Sequence, residues 1–177
     1  KVYSTNAEAY EYYLRAKFIY ELDYENEDTS NNNIKIIRDL LAKAIELDTN
    51  LLIAKNLLGN TFWDDEPNKA IEIYLDNLNE AAVIGNNNIE KKSLHNLGLI
   101  YRTIINDYKK SLQYHLHQLN LCKTTGDYKG EVLASLCIGN VYYDIGDYDN
   151  ANKYYLLNYD LARKMEEKEI YFIEMLL

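Results

Sequence analysis

The sequence predicts an all-α fold built from repeated antiparallel helix pairs, and three observations carry that prediction. The 177 residues include only seven glycines and one proline, too few turn residues for the frequent reversals of an all-β fold. Leu58-Gly59-Asn60-Thr61-Phe62, Leu97-Gly98-Leu99-Ile100-Tyr101 and Ile138-Gly139-Asn140-Val141-Tyr142 repeat one pattern. Each has an aliphatic residue before the glycine and an aromatic three after it, and the glycines are 39 and 41 residues apart. A second series follows each glycine: Asn68-Lys69-Ala70-Ile71 with Tyr74, Tyr108-Lys109-Lys110-Ser111-Leu112 with Tyr114, and Tyr148-Asp149-Asn150-Ala151 with Tyr154-Tyr155. Two helical patterns inside a period of about 40 residues mark a repeat, each unit being a helix A and a helix B that bury one face against their neighbours.

Taken in order, unit one covers 6–48. Asn6 to Tyr24 reads as a long aromatic helix A, Glu25 to Asn32 as a polar loop, and Asn33 to Leu47 as helix B with Ile37, Leu41 and Ala44 inward. Unit two covers 50–85, with helix B starting at Glu66-Pro67, because the first helical turn tolerates proline's missing N–H. The acids Asp64, Asp65 and Glu66 favour the N-terminal end of that helix dipole. Units three and four cover 88–125 and 128–165. Gly126-Asp127-Tyr128 and Gly146-Asp147-Tyr148, twenty residues apart, are two kinds of corner and not one duplicated site. In each, glycine allows the left-handed conformation that ends a helix and aspartate caps the free amides of the next. The first opens unit four, and its counterpart is Gly85-Asn86-Asn87; the second joins A to B inside unit four, and its counterpart is Asn106-Asp107-Tyr108. Residues 167–177 read as the start of a fifth helix A. Its Ile170, Phe172, Ile173, Leu176 and Leu177 exceed what unit four can cover, which suggests a fragment of a larger protein or an end that forms a homodimer.

The alternation resembles the tetratricopeptide repeat, most closely in unit four, where Ile138, Gly139, Tyr142, Gly146, Asp147, Tyr148, Ala151 and Tyr155 stand at the family's relative spacings. Departures are Asn158 in place of a small alanine, and Ser111 and His115 in place of alanine and an aromatic. The resemblance covers nearly the whole chain and implies a right-handed α-solenoid, a superhelix of about four units plus a partial fifth helix A. The long unit is similar to those of kinesin light chains, spindle-orientation adaptors and Rap-type bacterial peptide receptors. The opening Asn6-Ala7-Glu8-Ala9-Tyr10-Glu11-Tyr12-Tyr13-Leu14-Arg15-Ala16 also resembles the repeat segment that follows the catalytic domain of some bacterial class III adenylate cyclases. That implies a regulatory or oligomerisation segment of a signalling enzyme as the alternative to a binding module.

Composition narrows the chemistry. A net charge of -9 repels phosphate backbones at long range and disfavours nucleic acid as a partner. No apolar run reaches the 18 or so residues of a membrane span, so membrane insertion is not expected. Lys1-Val2-Tyr3-Ser4 does not begin a signal peptide, and a cytoplasmic location is expected. Cys122 and Cys137 lack CxxC spacing and read as reduced core thiols. His115 and His117 are two apart, about 200° around a helix, and His95 has no acid or cysteine at i+4, so no metal is expected. There is no GxxxxGK[ST], GxGxxG, GxSxG or HExxH motif. No catalytic residue and no cofactor are nominated.

In such arrays the A helices line a concave groove. Stepping by three and four from the glycines selects Asn56, Asn60 and Trp63 in unit two, and Lys92, His95, Asn96, Leu99 and Arg102 in unit three. Unit four contributes Leu133, Leu136, Asn140 and Tyr143, and unit one Tyr13, Lys17 and Tyr20. Asparagine offers a donor and an acceptor, which suits the main chain of an extended peptide. The resemblance places Asn60, Asn96 and Asn140 where peptide clamps hold their ligand. Lys92 and Arg102 suit a carboxylate. Against this, asparagine is abundant everywhere here, Asn31-Asn32-Asn33 and Asn86-Asn87-Asn88 included, and Trp63 and Tyr143 also suit packing between units. The expected function is therefore a non-catalytic scaffold that binds a protein or extended peptide.

Overall fold

The computed structural model describes the backbone of residues 6–25 and 32–176 and the side chains of residues 6–22 and 33–165. Among these residues there are eight helices and no strand: α1 Ala7–Glu25, α2 Asn32–Leu47, α3 Leu52–Asn60, α4 Pro67–Ile84, α5 Asn87–Thr103, α6 Tyr108–Thr125, α7 Tyr128–Asp144 and α8 Tyr148–Leu176. The fold is all-α, of the helical-repeat class. Pro67 occupies the first turn of α4, as its missing N–H allows. No described helix is long and apolar enough to cross a membrane.

The corners follow the expected chemistry. Gly126 and Gly146 take φ of 67° and 80°, a region closed to most side chains. Asp127 then serves both helices: its N–H donates back to the Cys122 carbonyl at 2.9 Å, and its carboxylate accepts from the Gly130 N–H at 2.9 Å. Asp147 repeats this with the Tyr142 carbonyl at 2.9 Å and the Asn150 N–H at 3.1 Å. At the corner counterpart to Gly146, Asn106 holds φ 59° without being glycine, and Asp107 caps the Lys110 N–H at 3.0 Å. Asparagine's short polar side chain makes that left-handed conformation accessible.

The chain divides into two compact units, Lys1–Ser93 and Leu94–Leu177, with the division inside α5. In the first, Ala9, Tyr13 and Ala16 of α1 meet Ile37, Leu41 and Ala44 of α2, with Leu51, Ala54 and Leu57 completing the cluster. Burying a side chain such as Ile37 or Leu41, each fully covered, contributes roughly 1.5–3 kcal/mol. Tyr13, expected on the groove, is a core residue instead, because the α1 face that meets α2 is set by the small Ala9 and Ala16. Asn77, fully buried, donates to the Leu52 carbonyl at 3.0 Å, and Lys55 pairs with Glu80 at 2.7 Å, so α3 and α4 are joined by polar as well as apolar contacts. In the second unit, Leu119, Ala134 and Ile138 form the core with Leu112, Tyr142 and Tyr154 packed on it.

Two expectations meet the structure differently. The loop between the helices of unit one falls on residues 26–31, outside the described residues. A corner near residue 166 is absent: α8 runs unbroken from Tyr148 to Leu176, and no glycine or proline stands between 147 and 176 to break it. The side chains of Ile170, Phe172, Ile173, Leu176 and Leu177 lie outside those described.

Candidate functional site

Each repeated glycine is a gap filled by one ring from the following helix. A Cβ on Gly59 would lie 2.5 Å from Cε1 of Tyr74, and one on Gly139 would lie 2.6 Å from Cε1 of Tyr155. On Gly98 it would lie 2.4 Å from Cε1 of His115. In the tyrosine cases the hydroxyl donates to the residue after the glycine, Tyr74 to Asn60 Oδ1 at 2.6 Å and Tyr155 to Asn140 Oδ1 at 3.0 Å. Two asparagines nominated as ligand clamps therefore have their carbonyl ends engaged inside the protein. Asn96 is not their equivalent, since it precedes its glycine by two residues while Asn60 and Asn140 follow theirs. The residue after Gly98 is Leu99, which offers no acceptor.

The remaining nominated residues divide by exposure. Asn56 is buried and donates to Ser93 Oγ at 3.4 Å, so it belongs to the core and not to a groove. Trp63 is half-buried and meets Tyr74 edge-on, with ring centroids 6.3 Å apart. Lys17 and Lys92 are exposed; Tyr20, His95, Asn96 and Leu99 are half-buried. Arg102, expected to meet a ligand carboxylate, already has one: its Nε donates to Asp144 Oδ2 at 2.6 Å. On α7 the stripe is open, with Leu133 42%, Leu136 40% and Tyr143 58% exposed. The other side of that helix buries Ala134, Cys137, Ile138 and Val141.

Residues 93–127, which hold α6 and most of α5, match the family model for the tetratricopeptide repeat. The match spans one repeat unit of this chain. The tetratricopeptide domain of Arabidopsis FLU is similar in structure, with a TM-score of 0.59 at 28% identity over 64% of this chain and 95% of that one. Aspartyl phosphate phosphatase F from Bacillus subtilis has a similar fold, with a TM-score of 0.73 at 17% identity over 87% of this chain, which spans 42% of its length. No curated protein matches in sequence.

Of the three rings that fill the glycine gaps, the one that is not tyrosine stands in unusual company. His115 is fully buried, and its Nδ1 lies 3.3 Å from Gln118 Oε1. His95 of α5 faces it, ring centroids 5.9 Å apart, and Cys137 Sγ of α7 lies 3.9 Å from His95 Nδ1. Burial pushes the His115 imidazole down to about 4 and the Cys137 thiol up to about 11. Burial also lowers His95, against the opposing effect of Gln118. Spacing along one helix cannot reveal this cluster, since its members come from three helices. The available signal was His115 itself, which takes the aromatic's place in the repeat.

Proposed function

We propose that the chain is a non-catalytic binding module in which the α5 and α7 face of the second unit takes an extended segment of a partner protein. The single observation that carries this is the exposed stripe Leu133, Leu136 and Tyr143 on α7, whose residues share one helix face while the buried core lies opposite. Apolar side chains held open in a row suit the side chains of a docked segment. Asn140 lies between them in sequence, and Tyr155 holds its carbonyl end; the amide is thereby oriented to offer its N–H₂ to a main-chain carbonyl. Because Asp144 already neutralises Arg102, the partner segment need not be acidic. The buried thiols Cys122 and Cys137 favour a reducing compartment, and the cytoplasm is the proposed location.

Selection of peptides from a random displayed library on the purified chain tests the reading. Enriched peptides should lose at least ten-fold in affinity when Leu136→Asp or Tyr143→Ala is introduced, with the thermal midpoint nearly unchanged. No enrichment, or peptides indifferent to both substitutions, would sink it.

A further inference from the structure

We infer that His95, His115 and Cys137 form a binding site for a thiophilic cation of the zinc class. The inference stands apart from the partner-binding reading. One possible donor atom from each residue lies within 4.8 Å of the other two, in a protein where two of the three side chains are buried and His95 is half-buried. Tetrahedral zinc with Zn–S near 2.3 Å and Zn–N near 2.0 Å needs ligand atoms roughly 3.4–3.6 Å apart. The Sγ to Nδ1 separation of 3.9 Å is already close, and modest side-chain rotation closes the rest.

The decisive atom is His115 Nε2. It is buried and has no hydrogen-bond partner, which an ordinary core histidine avoids. The amide oxygen Gln118 Oε1 only accepts, so the contact at 3.3 Å requires the proton on Nδ1. Nε2 then carries a lone pair with nothing to receive it. A metal ion would satisfy that lone pair, and Gln118 would act as the outer partner that fixes a ligating imidazole's tautomer.

The charge state also fits. Both imidazoles stay neutral at ordinary pH because burial lowers their basicity, and neutral imidazole is the ligating form. Cys137 holds its proton in the free protein; on binding, the sulfur–hydrogen bond breaks, a metal–thiolate bond forms and one proton leaves to solvent. Arg102, whose charge is felt by His115 and Cys137, is paired with Asp144 at 2.6 Å, which limits its repulsion of an incoming ion. Two nitrogens and a sulfur select zinc over magnesium or calcium, which prefer oxygen. The three ligands come from α5, α6 and α7, so occupancy would clamp these helices together.

Titration of chelator-stripped protein with Co²⁺ as a spectroscopic stand-in tests the site. One equivalent per chain should produce a thiolate-to-cobalt charge-transfer band and the visible bands of tetrahedral cobalt, both displaced by Zn²⁺, with a rise in thermal midpoint. Cys137→Ala should abolish the charge-transfer band, His95→Ala should weaken binding at least ten-fold, and Cys122→Ala should leave both unchanged. His95→Ala is the deciding variant if His115→Gln fails to fold, because His95 is only half-buried. Absence of cobalt bands in the wild type, or bands that survive Cys137→Ala in folded protein, would overturn the inference.

Discussion

The packing under Gly98 differs from that under Gly59 and Gly139 in one respect that changes its chemistry. All three glycines make room for a ring, but Tyr74 and Tyr155 bring a hydroxyl that finds Asn60 and Asn140, whereas His115 brings a nitrogen with no partner. The steric requirement is therefore shared and the polar one is not. Tyrosine and histidine rings both fit this contact, and the polar group on the ring decides whether its atoms are satisfied there.

The largest effect expected from this difference is a pH dependence confined to the histidine. With the folded imidazole near 4 against an ordinary 6.5, the unfolded chain binds the proton more tightly. The neutral ring's contribution is complete above about 6.5 and is lost as pH falls toward 4. The shift corresponds to on the order of 3 kcal/mol. Urea unfolding of metal-free protein across that range should show the loss, and His115→Gln should flatten it. An unchanged slope in the variant would assign the effect to His95 or to carboxylates.

Adding a methyl to the gaps probes the shared steric part. Alanine gains up to about 1 kcal/mol over glycine in a helix, but overpacking costs about 1–3 kcal/mol, and behind Gly59 the Tyr74 ring is fully buried and has nowhere to go. Gly59→Ala should therefore lower stability by about 2 kcal/mol. Gly139→Ala should cost less, since Tyr155 is only half-buried and can swing outward. Equal denaturation midpoints for the two variants would contradict this ranking.

The corners should show no such contrast between repeats. Asp107, Asp127 and Asp147 each accept one helix-start amide within 3.1 Å, so alanine at each should cost about 1 kcal/mol, as read by thermal midpoints. The smallest effect is reserved for the tyrosine hydroxyls. Tyr155→Phe should cost roughly 0.5 kcal/mol and Tyr74→Phe, at the more buried site, roughly 1 kcal/mol, with chemical denaturation as the measure.

Much of the fold was legible in the residues because the signals are local. Pro67, the acids at helix starts and the glycines at helix ends act within a turn of themselves, and the period of about 40 residues needs only the chain's own self-similarity. Ile37, Leu41 and Ala44 were readable as inward for the same reason. The candidate sites were less so. Asn56 and Tyr13 share the spacing of groove residues, but whether such a stripe faces solvent depends on which neighbouring helix covers it, and Ser93 and α2 do the covering. Arg102 looked available for a ligand until Asp144, 42 residues away, proved to hold it.

By itself, then, the sequence determined most of the helices and the capped corners that join them, consequences of backbone conformation and side-chain size over short distances. Only the tertiary structure decided which polar atoms meet. Hydrogen bonding and metal ligation depend on separations of a few ångströms between side chains of different helices, and no spacing along one helix encodes them. His115 Nε2, buried beside His95 and Cys137 without a partner, is where that decision matters most.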